Sequence, residues 1–201
     1  MEQKPKKKGG CLKVFLIAIA VIIVLIIAVS GDDDNNSGTQ PSNGNSSNTN
    51  TSIFDDPNLT TGQKNALKKA DSYLDVSGFS HSGLIDQLEF EGFTTEEATF
   101  AADKCGADWN EQALRKAKNY LDSSAFSYSG LIKQLEYEKF TTEQATYGAD
   151  NCGADWNEQA AKKAKSYMDV SSFSRSGLID QLEYEGFTNE QAEYGVKAVG
   201  Y

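Results

Sequence analysis

The chain has 201 residues and a formal net charge of −10 at pH 7, with 29 acidic against 19 basic side chains. A surface that acidic repels nucleic acid and anionic lipid and favours basic or polar partners. A single histidine, three cysteines and no glycine-rich phosphate loop leave a histidine metal site, a catalytic triad, a disulfide framework and nucleotide chemistry without support.

Residues 1–11 form a basic N-terminus with Lys4, Lys6, Lys7 and Lys8. Residues 12–30 follow as a predicted transmembrane helix. From Leu12 to Val29 every side chain but Lys13 is apolar, and 18 residues at a rise of 1.5 Å give about 27 Å of helix, enough to span with Lys13 snorkelling. Lysines before the run and Asp32, Asp33 and Asp34 after it place the N-terminus in the cytoplasm and the rest of the chain outside the cell. A cleaved signal peptide is the competing interpretation, because Ala28-Val29-Ser30 resembles a cleavage site. Residues 31–62, rich in Asn, Ser, Gly, Thr and Asp, read as a disordered linker with a reach of about 30 Å.

Self-similarity with a period of 47 residues dominates the remainder. Tyr73, Tyr120 and Tyr167 form one series, and Gly83-Leu84-Ile85, Gly130-Leu131-Ile132 and Gly177-Leu178-Ile179 another. The repeats are set at 63–109, 110–156 and 157–201. Each reads as three short helices, clearest in the second copy. The first begins after Asp108, with Ala113, Leu114, Ala117, Tyr120 and Leu121 on one face. The second begins after Ser127 and carries Leu131, Ile132 and Leu135 inward. It ends at Gly92 and Gly186 in repeats one and three, where glycine suits a left-handed turn. Lys139 holds that position in repeat two, at a cost of about 1 kcal/mol if the same turn forms. The third helix begins after Thr141, with Gln144 completing a capping box and Ala145, Ala149 and Cys152 on one face. Cys105, Cys152 and Val199 are equivalent, which marks a small buried apolar position in preference to a disulfide. The fold class is all-α: three tandem helix-turn-helix-like repeats behind a transmembrane helix and a flexible linker. Because one unit buries little by itself, the repeats are expected to stack into one compact body.

His81 is equivalent to Tyr128 and Arg175, so the position tolerates any side chain and is expected to be exposed. The abundant carboxylates read as a solvated helix face, with no catalytic pair and no metal or cofactor site. A helix-turn-helix that binds DNA needs a basic recognition helix. Residues 81–105, 128–152 and 175–199 instead carry 15 acidic and five basic side chains. No nucleic acid and no small-molecule substrate is expected, and the chain reads as a binding protein without enzymatic activity.

Two aromatic series remain. Phe90, Tyr137 and Tyr184 stand on the second helices, on the side away from Leu84, Ile85 and Leu88 and their equivalents. Phe100, Tyr147 and Tyr194 stand off the apolar face of the third helices. They either pack against the first helix or the next repeat, or form an exposed stripe flanked by Glu89, Glu91, Glu136, Glu138, Glu183 and Glu185. In the exposed case these twelve residues would bind a protein partner carrying Lys or Arg.

The segments Phe126-Ser127-x-x-Gly130-Leu131-Ile132, Gln134-Leu135-Glu136-Tyr137-Glu138, Phe140-Thr141-x-Glu143-Gln144-Ala145 and Gly153-Ala154-Asp155-Trp156-Asn157-Glu158-Gln159-Ala160 resemble the repeat of the Ltp family. These are host cell surface-exposed lipoproteins of temperate phages and low-GC Gram-positive bacteria. The resemblance implies tandem helix-turn-helix repeats on the outer face of the cytoplasmic membrane. For phage-encoded members it implies superinfection exclusion, in which DNA injection is blocked and the incoming tape measure protein is the target of an acidic surface. This chain differs in having a transmembrane helix in place of a lipobox cysteine, and three repeats where the family pattern leads to an expectation of two. A host envelope or cell-wall binding protein unrelated to phage is the alternative expectation.

Overall fold

The computed structural model describes residues 56–201. The predicted cytoplasmic N-terminus, the transmembrane helix and most of the linker lie outside the described residues. Among the described residues no helix is long and apolar enough to cross a membrane.

Nine α-helices and no strand occur among the described residues. In chain order they are α1 (Thr61–Val76), α2 (His81–Phe90), α3 (Thr95–Lys104), α4 (Trp109–Ser123), α5 (Tyr128–Tyr137), α6 (Thr142–Asn151), α7 (Trp156–Val170), α8 (Arg175–Tyr184) and α9 (Asn189–Ala198). Each repeat is one long helix followed by two of ten residues. The starts follow from side-chain caps that satisfy backbone N–H groups with no partner inside the helix. Asp108 accepts from the Asn110 and Glu111 amides, Ser127 from Gly130, and Thr141 forms a reciprocal capping box with Gln144. The first helix starts at Thr61, two residues inside the segment read as linker. Thr60 and Gln63 make a capping box there as well.

The turn after each second helix is a Schellman motif. Phe93 donates its amide to the Leu88 carbonyl, Phe140 to Leu135 and Phe187 to Leu182, at 3.1–3.2 Å. The residue before each Phe has positive φ: 96° at Gly92, 92° at Gly186 and 68° at Lys139. Lys139 thus adopts the same left-handed turn that glycine provides in its sister repeats.

The three repeats fall within one compact unit, as expected, but repeats two and three each close a core of their own. In repeat two, Ala113, Ala117, Leu131, Leu135, Phe140, Ala145 and Ala149 form one buried cluster. In repeat three, Ala160, Ala164, Leu178, Leu182, Phe187, Ala192 and Val196 form another. The long helix packs chiefly on the third helix of its own repeat, and the helices of different repeats meet only marginally. Alanine on both facing helices explains how so small a unit closes on itself. The backbones approach until a Cβ added at Gly148 would lie 2.8 Å from the Ala113 carbonyl oxygen, and one at Gly195 would lie 2.7 Å from that of Ala160.

Polar junctions hold neighbouring repeats together. The helix-capping serines also reach forward: Ser80 Oγ donates to the Glu138 carbonyl and Ser127 Oγ to that of Glu185, both at 2.6 Å. Ser129 Oγ donates to the Gly186 carbonyl at 3.1 Å. The Arg115 guanidinium donates to the carbonyls of Leu74 and Asp75, and Lys139 pairs with Asp86. Trp109 meets His81 edge-on, with centroids 5.1 Å apart, and Trp156 meets Tyr128 at 5.5 Å. His81 is therefore not the open surface position expected from its variability. It is half-buried, and its Nε2 lies 2.7 Å from Asp103. Tyr128 donates to Asp150 at 2.7 Å, and Arg175 pairs with Glu193. Varied as it is, the slot finds an acidic partner in every repeat.

Candidate functional site

The last residues of α2, α5 and α8 carry the aromatic series of the second helices. Leu84 and Leu88, with their equivalents, are fully buried on the inner face, so the helical period sends Phe90, Tyr137 and Tyr184 outward. They are 67%, 45% and 87% exposed. Of the two placements open from sequence, this series takes the solvent-facing one.

The flanking glutamates divide into two groups. Glu89, Glu136 and Glu183 are exposed and accept from Thr95, Thr142 and Asn189, respectively, at 2.6–2.8 Å. They stay on the surface beside the aromatic rings. Glu91, Glu138 and Glu185 instead turn toward the long helix of their own repeat. Tyr73, Tyr120 and Tyr167 donate their hydroxyls to these three carboxylates. Lys69, Lys116 and Lys163 pair with them at 3.2–3.3 Å. Gln87, Gln134 and Gln181 donate to the tyrosine oxygens at 3.1–3.2 Å. Each tyrosine ring also tilts against Phe79, Phe126 or Phe173, with centroids 5.5–5.6 Å apart.

Burial, and then the hydrogen bond to the glutamate, raises the pKa of these tyrosines. Tyr167 is pushed up to about 12, and Tyr73 and Tyr120 shift the same way. A phenol that holds its proton is a donor, so this Tyr-Glu-Lys-Gln set fastens the second helix to the first. The grouping of all six glutamates as one partner-binding set from sequence did not anticipate this division. The contact spans 18 residues, beyond any local spacing rule. A signal was present nonetheless, because Lys69-Tyr73 recurs with the repeat as Lys116-Tyr120 and Lys163-Tyr167, one helical turn apart.

The series on the third helices is mixed. Phe100 and Tyr147 are half-buried, and Tyr194 is 43% exposed. Tyr147 donates to Glu111 and Tyr194 to Glu158, each at 2.9 Å, which ties the third helix to the first. Cys105 and Cys152 occupy the equivalent helix ends and donate their thiols to the carbonyls of Ala102 and Ala149. Among the described residues no group of three or more His, Cys, Asp or Glu side chains is placed to hold a metal ion.

The surface that results is a recurring edge, with an exposed aromatic ring beside an exposed glutamate at the end of each second helix. Comparison with known proteins then places the chain. No curated protein matches it. Among solved structures it is similar to Ltp, a superinfection exclusion protein from the Streptococcus thermophilus temperate phage TP-J34. The identity is 33%, over 46% of this chain and 97% of that one, with a TM-score of 0.45. The family described as host cell surface-exposed lipoprotein matches three times in tandem, at residues 61–104, 108–152 and 155–199. These matches take in more than half of the sequence and coincide with the three helical repeats, and the chain belongs to that family of host cell surface-exposed lipoproteins.

Proposed function

We propose that this chain is a superinfection exclusion protein of the host cell surface. It acts without catalytic chemistry, by stoichiometric binding of a basic segment of an incoming phage protein, and the tape measure protein is the candidate target. Residues 12–30 hold it in the membrane of a Gram-positive cell as a single span, and the linker lets the repeats search a shell of about 30 Å outside it.

Family membership supports this reading, and one observation carries it. Phe90, Tyr137 and Tyr184 are exposed beside Glu89, Glu136 and Glu183 in all three repeats. Aromatic rings next to solvated carboxylates suit Lys and Arg side chains, which gain from the ring face and from the charge together. Three copies in one chain let a partner with several basic residues bind more tightly than any single contact allows.

The test is a phage challenge of a sensitive Gram-positive host expressing the chain, with adsorption, DNA entry and plaques scored separately. Normal adsorption with blocked DNA entry is expected. The combined variant Glu89→Lys, Glu136→Lys and Glu183→Lys is expected to lose exclusion and keep its helical circular dichroism. Unchanged plating across a broad phage panel, with the protein present at the surface, would overturn the reading. Full exclusion by the triple variant would remove the edge from it.

A further inference from the structure

The two junctions between repeats follow one plan but are filled differently. At the first, Arg115 of α4 reaches the C-terminal end of α1, and its guanidinium donates to the carbonyls of Leu74 and Asp75. Last-turn carbonyls have no acceptor role inside their own helix. A planar cation there satisfies two of them together and complements the negative end of the helix dipole. At the second junction the 47-residue period puts Lys162 in place of Arg115, and Leu121 and Asp122 in place of Leu74 and Asp75. No side chain among the described residues donates to either of those carbonyls. An open groove of about 280 Å³ lies there instead, between the end of α4 and the start of α7. Leu121, Asp122, Asp155 and Glu158 line it, with Lys118 and Lys162.

We propose that this groove takes an arginine side chain of a partner protein, seated as Arg115 is seated in the first junction. The groove is lined by Leu121 and Asp122, whose carbonyls lie in the last turn of α4, and by three carboxylates, of which Asp155 also accepts from the Asn157 and Glu158 amides; these acceptors match a guanidinium. Lys118 and Lys162 are exposed and make no ion pair among the described residues, and their long flexible stems let the ammonium groups swing out into solvent when a cation enters. A lysine ligand reaches one carbonyl as a point charge, where an arginine reaches both. Glu158 also accepts from Tyr194 at 2.9 Å, so the groove adjoins the aromatic series of the third helices. The proposal rests on the reading of the partner as a basic protein, and it gives that partner a specific anchor.

The test is an NMR titration of the full-length protein in detergent micelles with blocked Gly-Arg-Gly, Gly-Lys-Gly and Gly-Glu-Gly peptides, following the amides of Gly153 and Ala154. The arginine peptide is expected to shift them saturably and to bind about tenfold or more tightly than the lysine peptide. Lys162→Arg, which fills the groove from within, is expected to abolish the shifts without lowering the thermal midpoint. Arg115→Lys, which empties the first junction, is expected to add a second set of shifts at Gly106 and Ala107. Equal responses to the arginine and lysine peptides, a response to the glutamate peptide in their place, or a wild-type response from Lys162→Arg would overturn the proposal. The titration needs no phage, so a negative exclusion assay leaves its result intact and the two ideas fail separately.

Discussion

Replacing Gly186 by alanine is expected to cost about 2 kcal/mol, while the same change at Gly92 costs about 1 kcal/mol. Both residues end a second helix with φ above 90°, so an added Cβ brings the same left-handed strain to each. Their surroundings differ. Nothing lies within 4 Å of a Cβ built on Gly92, whereas one on Gly186 falls 2.3 Å from Ser129 Oγ and 3.0 Å from Ser127 Oγ. The Ser129 hydroxyl must swing away and give up its bond to the Gly186 carbonyl, which adds about 1 kcal/mol. Lys139 is the natural experiment in the opposite direction. Lys139→Gly relieves about 1 kcal/mol of strain and loses an ion pair with Asp86 in which both side chains are 52% exposed. Exposed pairs contribute about 0–1 kcal/mol, so the variant is expected to be as stable as the parent or up to about 1 kcal/mol more stable. Urea unfolding of the full chain, followed by helical circular dichroism, ranks the three variants through midpoints at constant slope. If Gly186→Ala proves no costlier than Gly92→Ala, the packing at the second junction is wrong. A lowered midpoint for Lys139→Gly would show that the pair with Asp86 outweighs the backbone strain.

Tyr120→Phe deprives the half-buried Glu138 carboxylate of its donor and is expected to cost about 2 kcal/mol, measured by the same urea titration. The tyrosine pKa values also predict a pH dependence. A folded-state pKa raised above the unfolded value of 10.0 means that the unfolded chain releases its proton first. The stability from these tyrosines is thus complete below pH 10 and is lost as pH rises toward about 12, the folded value of Tyr167. Absorbance at 295 nm should show delayed ionisation over that window, and Tyr167→Phe should make the loss shallower. Ser127→Ala removes both a helix cap and the bond to the Glu185 carbonyl, whereas Ser174→Ala removes the cap and a 3.4 Å contact with the Ser176 hydroxyl but no bond between repeats. Thermal melts should place the first about 1 kcal/mol below the second.

Local chemistry was readable in advance. The capping residues Asp108 and Thr141 and the left-handed turn at Lys139 depend on neighbours a few positions away, so spacing alone exposes them. The roles of Glu138 and Glu185 depend on Tyr120 and Tyr167, across a distance in sequence where helical periodicity has lost its meaning. The burial of His81 depends on Trp109, which lies 28 positions on and opens α4. The expectation that one unit buries little by itself failed for a related reason. It weighed the size of one unit but not the alanines and glycines that bring the first and third helices close enough to seal it. The candidate edge was half legible: the helical period turned Phe90, Tyr137 and Tyr184 away from the apolar face without deciding between solvent and a neighbouring helix, and it could not separate the glutamates on the surface from those held by a tyrosine.

Repeats that close their own cores and meet through a few hydrogen bonds and ion pairs and a tryptophan contact at each junction respond to force one unit at a time. Tension applied between the two ends of the array concentrates at the weakest repeat, and its opening releases roughly 160 Å of extended chain. Because repeats two and three have cores of their own, the remaining repeats are expected to keep their folds and exposed edges during that extension. The array is thus built to lengthen under load one repeat at a time.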